Sequence, residues 1–154
     1  MIRTCTIRDL DQIKAEIEDF WGHTRTREMH HPIFVHQFGD TSAVIEEKEK
    51  ILAYALGFYS QLGEELYIHL AAVRGAHQAQ GLGQKLYNHL IEKARLAGKK
   101  SLKAITSAGN RASIKFHTEK MGMKCLGDRM ENGILVFSDY SGEGIDRIVF
   151  EKVF

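Results

Sequence analysis

The sequence is poor in cysteine and proline and has no long apolar run. Its two cysteines, Cys5 and Cys125, are too few for a disulfide framework or a zinc cluster, so we expect two reduced thiols in a cytoplasmic protein. No apolar stretch approaches the ~20 residues that span a bilayer, and the N-terminus lacks the apolar segment of a signal peptide. These absences argue against a membrane protein and a secreted disulfide scaffold.

Charge of one sign is also lacking. The 154 residues include 21 Lys and Arg and 20 Asp and Glu, a formal net charge of +1, which argues against a nucleic-acid partner. Hydrophobic residues make up 44%, too many for a disordered chain. The single proline, Pro32, leaves no Pro-rich linker, so we expect residues 1–154 to form one domain.

Apolar periodicity predicts a chain that mixes strands and helices. Strands are predicted at residues 2–7, 41–46, 51–60, 64–73 and 102–106, and two more at 123–154 around a Gly-rich loop, 138–146. Helices are predicted from an N-cap at Asp9 to residue 21, at 25–38 with an interruption at Pro32, at 82–97 and at 111–121. The order predicts an α/β fold with a mixed central sheet of about seven strands and helices on both faces.

The most specific motif links strand 64–73 to helix 82–97. It reads Gln78-Ala79-Gln80-Gly81-Leu82-Gly83. Its glycines let a ligand approach the backbone, and the first amides of the helix, with the helix dipole, attract an anion. The motif predicts a pyrophosphate site, with Arg74 and Lys85 as nearby charges. A glycine-rich turn that binds no ligand would have the same sequence pattern and is the alternative.

Two other phosphate motifs do not fit this segment. A Rossmann fingerprint needs a third glycine where Leu86 stands, and it follows the first strand of a βαβ unit. A P-loop ends in Gly-Lys-Ser/Thr, whereas Gln84 and Lys85 follow Gly83 here. Neither a dinucleotide fold nor a P-loop nucleotidase is therefore expected.

A second motif supports the first. Residues 110–123 read Asn-Arg-Ala-Ser-Ile-Lys-Phe-His-Thr-Glu-Lys-Met-Gly-Met. Together with the Gln-x-x-Gly-x-Gly loop after the fourth strand, this segment resembles the GNAT superfamily of acetyl-CoA-dependent N-acyltransferases. Asn110, Ser113, Phe116 and Gly122 match the family's second motif, whereas His117 stands where a Tyr is usual and Met123 where a Phe is usual. The resemblance covers residues 2–123 and implies a single-domain GNAT-like fold.

The resemblance implies acetyl-CoA as co-substrate, without a metal. The loop amides would bind the pyrophosphate, the end of the preceding strand would pair with the pantetheine arm, and Asn110 would help to bind coenzyme A. The implied contacts are Ala71, Ala72, Val73, Gln78, Ala79, Gln80, Gly81, Leu82, Gly83, Gln84, Asn110, Ser113 and Phe116. His30, His31 and His36 make no metal set, because neighbouring histidines on a helix point to different faces. A homodimer is common among relatives.

Two histidines are candidates for proton transfer. His69 lies in mid-strand, on the face expected for Tyr67 and Ala71, and an imidazole titrates near neutrality. The pair Tyr67-x-His69 resembles two catalytic histidines of arylalkylamine N-acetyltransferases and makes His69 the candidate base; a core histidine, Glu46, Glu47 and Glu65 are the alternatives. His117 replaces the Tyr that usually protonates the departing sulfur, so it is either the acid or a neutral packed histidine.

The acceptor pocket is expected between the first helices and the last loops. Its candidate residues are Trp21, Phe34, Phe38 and Tyr140, and core packing is the alternative for each. The sequence thus predicts acetyl transfer from acetyl-CoA to a primary amine, of a small molecule or a peptide, by direct attack in a ternary complex. A non-catalytic acyl-CoA-binding module or sensor of the same fold is the alternative, motivated by His117.

Overall fold

The computed structural model describes residues 1–154 and comprises two compact units, Met1–Lys99 and Lys100–Phe154. The first unit contains four strands that pair antiparallel in chain order. These strands are β1 (Ile2–Thr4), β2 (Ala43–Glu47), β3 (Lys50–Tyr59) and β4 (Glu65–Val73). Its helices are α1 (Ile7–Ala15), α2 (Ile17–Trp21), α3 (Ile33–His36) and α4 (Leu82–Leu96).

Helix α1 begins earlier than predicted, and β1 is correspondingly shorter. The N-cap is Thr6, whose hydroxyl accepts from the Asp9 amide at 3.3 Å, while the Asp9 carboxylate accepts from the Thr6 amide at 2.8 Å. Arg3 adds two hydrogen bonds to Asp9, at 2.6 and 2.9 Å. The predicted N-cap at Asp9 is therefore wrong, because Thr6 and Asp9 form a reciprocal capping box.

Helices cover both faces of the first unit's sheet, as predicted. Side chains of α1 to α3 share one apolar cluster with β3 residues Tyr54 and Leu56. Helix α4 packs against β2, β3 and β4 through Leu86, Tyr87, Leu90, Ile91 and Ala94. Because Ala53 and Ala55 alternate with Tyr54 along β3, they point to the face that α4 covers.

The predicted helix at 25–38 is wrong in extent. Only a 3₁₀ turn at Arg27–Met29 and the single turn α3 form there. Pro32 stands at the N-cap of α3, a position that a residue without a backbone N–H tolerates well. The segment between α2 and α3 is therefore mostly loop.

The second unit contains β5 (Ser101–Thr106), β6 (Lys124–Leu126) and β9 (Ile148–Val153), with β9 antiparallel to both of the others. Helix α5 (Arg111–Lys115) continues as a π-helical turn at Phe116–Lys120. With four sheet strands in the first unit and three in the second, the predicted count of about seven is confirmed.

A hairpin in the second unit was not predicted. It consists of β7 (Arg129–Glu131) and β8 (Ile134–Val136). The turn residues Asn132 and Gly133 have φ of 51° and 81°, the left-handed pair that an Asn-Gly dipeptide favours in two-residue hairpins. That dipeptide was the signal in the sequence for this element.

No helix has both the length and the apolar character that crossing a membrane requires.

Candidate functional site

Strand β4 contains a β-bulge at His69. Leu56 of β3 pairs with Leu70, and the next residue, Gly57, pairs with Ile68, so His69 has no counterpart on β3. A bulge leaves its extra residue outside the ladder and redirects that side chain. The predicted candidate base therefore occupies an irregular position within an otherwise regular strand.

Gly57 makes the bulge sterically feasible. A Cβ atom at this position would lie 2.7 Å from the Tyr67 carbonyl oxygen and 3.1 Å from the Thr41 carbonyl oxygen. The Thr41 hydroxyl donates to the Gly57 carbonyl at 2.7 Å, and the Gly57 amide donates to the Ser42 hydroxyl at 3.3 Å. Glycine in the interior of a strand commonly marks such a close approach of two backbones.

The bulge also changes which residues of β4 share a face. Phe58 lies opposite Tyr67 and Tyr54 opposite Ala72, so Tyr67 and Ala72 point to the face covered by α1 to α3. Ala71 lies opposite Ala55 and points to the other face. The prediction that Tyr67, His69 and Ala71 share one face is therefore wrong for Ala71, because the extra residue breaks the alternation.

The His69 ring lies against aromatic side chains. It stacks on Phe34, with ring centroids 4.9 Å apart and an interplanar angle of 11°. Phe34 contacts Phe38, and Phe38 contacts Phe58, with centroids 5.4 and 5.1 Å apart. Tyr67 completes the row at 5.4 Å from Phe58. These rings make a continuous aromatic surface beside the candidate base.

Burial sets the protonation state of His69. Desolvation lowers the pKa of His69, and a hydrogen bond with the backbone of Met29 opposes that shift in part. The ring is therefore neutral at neutral pH. A neutral imidazole that donates one N–H to a carbonyl keeps its other nitrogen as a proton acceptor.

A buried hydrogen-bonded chain lies beside this surface. The Trp21 indole N–H donates to the Tyr54 hydroxyl at 2.7 Å, and the Tyr54 hydroxyl donates to His30 Nε2 at 2.6 Å. His30 Nδ1 donates to the Thr26 carbonyl at 2.7 Å. Tyr54 and His30 are fully buried. Tyr54 and His30 were not predicted as site residues, because nothing in the local sequence shows that residues 24 positions apart meet.

The predicted acceptor residues divide between the units. Trp21 and Phe38 are half-buried against the apolar cluster of the first unit, and Phe34 is a buried member of it. Tyr140 belongs to the second unit, where it packs edge-on against Phe137 with ring centroids 5.1 Å apart. Packing is thus a part of what each of these rings does.

The predicted pyrophosphate loop connects β4 to α4 through two left-handed residues. Ala79 has φ of 63°, and Gly81, the N-cap of α4, has φ of 78° without a side-chain cap. The Gln78 side-chain amide donates to the Val73 carbonyl at 3.3 Å and closes the loop onto the strand end. The 15-residue helix α4 directs its N-terminal amides at this loop, as an anion site requires.

Arg74 does not supply charge to the loop, contrary to the prediction. Its guanidinium is 3% exposed and donates to Glu16 at 2.6 Å, Asp19 at 2.8 Å and the Ile51 carbonyl at 2.9 Å. It also lies over the Phe20 ring at 4.5 Å. Arg74 therefore ties α2 and the start of the loop to β3.

In the second unit, Asn110 and Ser113 begin α5. The Asn110 side-chain oxygen accepts from the Ser113 amide at 3.2 Å, which makes Asn110 the N-cap of α5. This cap uses the oxygen of the Asn110 side chain. The NH₂ group of the same side chain can donate two further hydrogen bonds. Phe116 packs edge-on against His117, with ring centroids 5.1 Å apart.

His117 is buried in the second unit. Its ring stacks on Phe150 at 4.3 Å, and its Nδ1 donates to the Ser113 carbonyl at 2.7 Å. Burial lowers the pKa of His117 to about 4, and that hydrogen bond opposes the shift. At neutral pH the ring is neutral, which favours packing over proton donation to a thiolate. The acid role of His117 stays a prediction.

The sequence matches a known family of acetyltransferases. The acetyltransferase (GNAT) family model matches residues 7–123. The L-methionine sulfoximine/L-methionine sulfone acetyltransferase of Salmonella typhimurium is 39% identical over 61 residues, 40% of this chain and 33% of that protein. The matched segment thus spans about a third of the length of this curated relative.

Solved structures of acetyltransferases have the same fold. The ribosomal-protein-S18-alanine N-acetyltransferase of Escherichia coli is similar with a TM-score of 0.73 and 20% identity, over 99% of this chain and 92% of that one. An aminoglycoside 6'-N-acetyltransferase solved with coenzyme A has a TM-score of 0.68 and 13% identity, over 99% and 96%. The predicted GNAT-like α/β fold is confirmed, and the chain belongs to the acetyltransferase (GNAT) family of acyltransferases.

Proposed function

We propose that this protein transfers the acetyl group of acetyl-CoA to a primary amine by direct attack in a ternary complex. The observation that carries the proposal is His69, which stands outside the β3–β4 ladder and stacks on Phe34. A bulge that redirects one titratable side chain is a feature typical of active sites. Family membership supplies the chemistry that this side chain would serve.

The base would act on the acceptor amine. A free amine has a pKa near that of Lys, ~10.4, so it must lose a proton before or during attack. His69 takes one proton from the ammonium, the neutral nitrogen forms a bond with the acetyl carbon while the carbon–sulfur bond of acetyl-CoA breaks, and the second proton of the nitrogen passes to solvent as the coenzyme A thiolate leaves. Because burial lowers the pKa of His69, the accepting neutral form dominates at neutral pH.

Departure of coenzyme A needs no acid from the protein. A thiol has a pKa near 8.5, so its thiolate is a good leaving group in water. The neutral, packed ring of His117 is consistent with that route. The backbone amide of Val73, at the end of β4, is our candidate donor to the carbonyl oxygen that becomes negative during attack.

The loop from Gln78 to Gln84 is proposed to bind the pyrophosphate of acetyl-CoA. Support comes from the left-handed residues Ala79 and Gly81, which turn the backbone ahead of the N-terminus of α4. Ala71, Ala72 and Val73 are proposed to pair with the pantetheine arm. The coenzyme A contacts of Asn110, Ser113 and Phe116 stay predictions. The single-domain organisation of residues 1–154, a homodimer and a cytoplasmic location also stay predictions.

A thiol-release assay tests the activity. Purified protein with acetyl-CoA is screened against polyamines, amino acids, aminoglycosides and peptides with free N-termini, and free thiol is measured. We expect at least one amine to release thiol well above the rate without an acceptor, and His69→Gln to lower kcat by about 10²–10⁴-fold. His36→Gln is the matched control, because His36 is an exposed histidine of α3.

The same assay separates catalysis from mere binding. An acyl-CoA-binding module would bind acetyl-CoA in calorimetry and release no thiol with any amine. Wild-type turnover in His69→Gln would instead show that an acyltransferase works without this base, and Glu65 would then be the next candidate.

A further inference from the structure

His30 combines deep burial with complete hydrogen bonding next to the candidate base. Its side chain is fully buried, and both ring nitrogens have partners: the Thr26 carbonyl at 2.7 Å and the Tyr54 hydroxyl at 2.6 Å. A carbonyl only accepts, so Nδ1 carries the proton and Nε2 accepts from Tyr54. The tautomer of His30 is therefore fixed by its surroundings.

Tyr54 in turn is fixed by Trp21. The indole N–H donates to the phenol oxygen at 2.7 Å, so the hydroxyl proton is directed to His30. The rings of Trp21 and His30 also meet edge to face, with centroids 6.4 Å apart. One donor from α2 and one hydroxyl from β3 thus hold a single ring of the α2–α3 loop.

His30 closes the turn that carries Met29. The Thr26 carbonyl accepts from the Met29 amide at 3.0 Å and also from His30 Nδ1. The His30 amide donates to the Arg27 carbonyl at 3.1 Å, which closes the same 3₁₀ turn a second time. A ring that is anchored to the sheet therefore sets the position of the Met29 backbone.

Two contacts join this anchored segment to His69: the ring stacks on Phe34, whose amide donates to the His31 carbonyl at 3.2 Å, and it forms a hydrogen bond with the Met29 backbone. A carbonyl that accepts from one imidazole nitrogen determines which nitrogen of that ring is left to accept a proton. Phe34 holds the same ring face-on at 4.9 Å. Ring orientation and tautomer of His69 thus have separate supports.

We propose that His30 is a positioning residue for His69: through the Trp21–Tyr54–His30 hydrogen-bonded chain, His30 holds the segment that carries Met29 and Phe34 against the His69 ring. This inference rests on the proposed function for its catalytic meaning. Its structural content is that His69 has one dominant tautomer and that the hydrogen-bonded chain maintains it.

Several groups influence titration here. Burial lowers the pKa of His30, and the positive charges of His69 and of Lys14 in α1 lower it further. Tyr54 of β3 has its pKa raised by burial and stays protonated across the working range, and Tyr67 lies on the same strand as His69. Because several groups act here, the test compares the acidic limb of kcat/KM between the wild type and its variants.

The test combines side-chain NMR with kinetics on the full chain. Long-range ¹H–¹⁵N spectra of the histidine rings report each tautomer, and the His69→Gln spectrum assigns the His69 signals. We expect one dominant His69 tautomer in the wild type and a mixture in Tyr54→Phe and in His30→Gln. We also expect these variants to lower kcat about tenfold, to displace the acidic limb of kcat/KM and to leave the KM for acetyl-CoA unchanged.

Tyr87→Phe is the matched control. It removes a phenol hydroxyl that is equally buried but belongs to α4, so it should leave the His69 tautomer and the acidic limb unchanged. A mixed tautomer in the wild type, or an unchanged tautomer and limb in Tyr54→Phe, overturns the proposal. If His30→Gln does not fold, Tyr54→Phe and Trp21→Phe decide it. If no amine releases thiol, the proposed function fails, and the tautomer measurement still decides this inference.

Discussion

His69 occupies a position that a regular ladder would not contain. Its neighbours Ile68 and Leu70 pair with consecutive residues of β3, and the imidazole turns onto Phe34. The ring is held by stacking and by one hydrogen bond, which leaves it able to take a proton without disturbing the strand. A histidine in the ladder itself would have its orientation dictated by the pleat.

The acidic limb of catalysis should belong to this residue. Burial lowers the pKa of His69 below 6.5, so the ring gains a proton, and ceases to accept one, only as the pH falls below that value. We expect kcat/KM to be flat near neutrality and to decline at acidic pH. His69→Gln should lack that limb, whereas His36→Gln should retain it; an identical limb in His69→Gln would assign the titration to another group.

In strand β3, an added methyl group should be tolerated least at Gly57. Gly57→Ala would place Cβ 2.7 Å from the Tyr67 carbonyl oxygen, and the backbone would have to shift. We expect the free energy of unfolding to fall by about 1–3 kcal/mol in urea titrations. Gly109→Ala is the control, because open space surrounds that position. Equal stability of the two variants would show that the bulge yields easily.

Which parts of the site the sequence predicts depends on how local they are. The Gln78-to-Gly83 loop was identified because glycines, strand and helix are contiguous. The bulge was not, because an extra residue is visible only against its partner strand. Arg74 looked like a phosphate contact until its partners Glu16 and Asp19 were known, and they lie more than 50 residues away.

At the scale of the element, helix α4 offers two ends with the same backbone conformation. Gly81 at the N-cap has φ of 78°, and Gly98 after the C-terminus has φ of 76°. A Cβ at either position would meet nothing within 4 Å. Valine at either end therefore suffers the same left-handed strain, and only the N-terminal one faces the proposed ligand.

This symmetry allows a controlled test of the pyrophosphate loop. Gly81→Val should raise the Kd for acetyl-CoA at least ~30-fold, a loss of about 2 kcal/mol, whereas Gly98→Val should change it less than about threefold. Isothermal titration calorimetry measures both, with thermal unfolding as the check on folding. Equal Kd values in the two variants would remove this loop from the coenzyme site.

Elements with strong periodicity were predicted best. Helix α4 differs by one residue from its predicted end, since its apolar stripe is unbroken and Gly98 stops it. The segment at 25–38 was predicted as a helix, but only one α-helical turn forms, around Phe34. Tertiary contacts with Tyr54 and His69 fix the side chains of this segment, and the local sequence does not reveal such contacts. Hairpin β7–β8 was missed because its strands have three residues each.

For the molecule as a whole, buried neutral histidines should make stability depend on pH. The pKa of His117 is about 4 when folded and near 6.5 when unfolded, and that of His30 is also lowered. The unfolded chain thus binds more protons between these values, so the free energy of unfolding falls as the pH falls from 6.5 to 4. The loss from His117 alone is about 3 kcal/mol.

Urea titrations at a series of pH values measure this dependence. His117→Phe keeps a ring against Phe150 and should flatten the slope between pH 4 and 6.5, although its stability at pH 7 is lower for lack of the bond to Ser113. His36→Gln should retain the wild-type slope. An unchanged slope in His117→Phe would mean that this ring titrates normally. Unchanged kcat in the same variant would exclude it as the acid.

The bulge divides strand β4 into two halves whose side chains alternate between the faces of the sheet with opposite parity. Up to Ile68 the odd-numbered residues face the aromatic side, and from Leu70 onward the even-numbered ones do. Deleting residue 69 would leave both halves in their present register and on their present faces, because Ile68 and Leu70 already pair with consecutive residues of β3 and point to opposite sides. Any comparison of this strand with a regular one therefore has to insert a gap at position 69 before side chains can be matched.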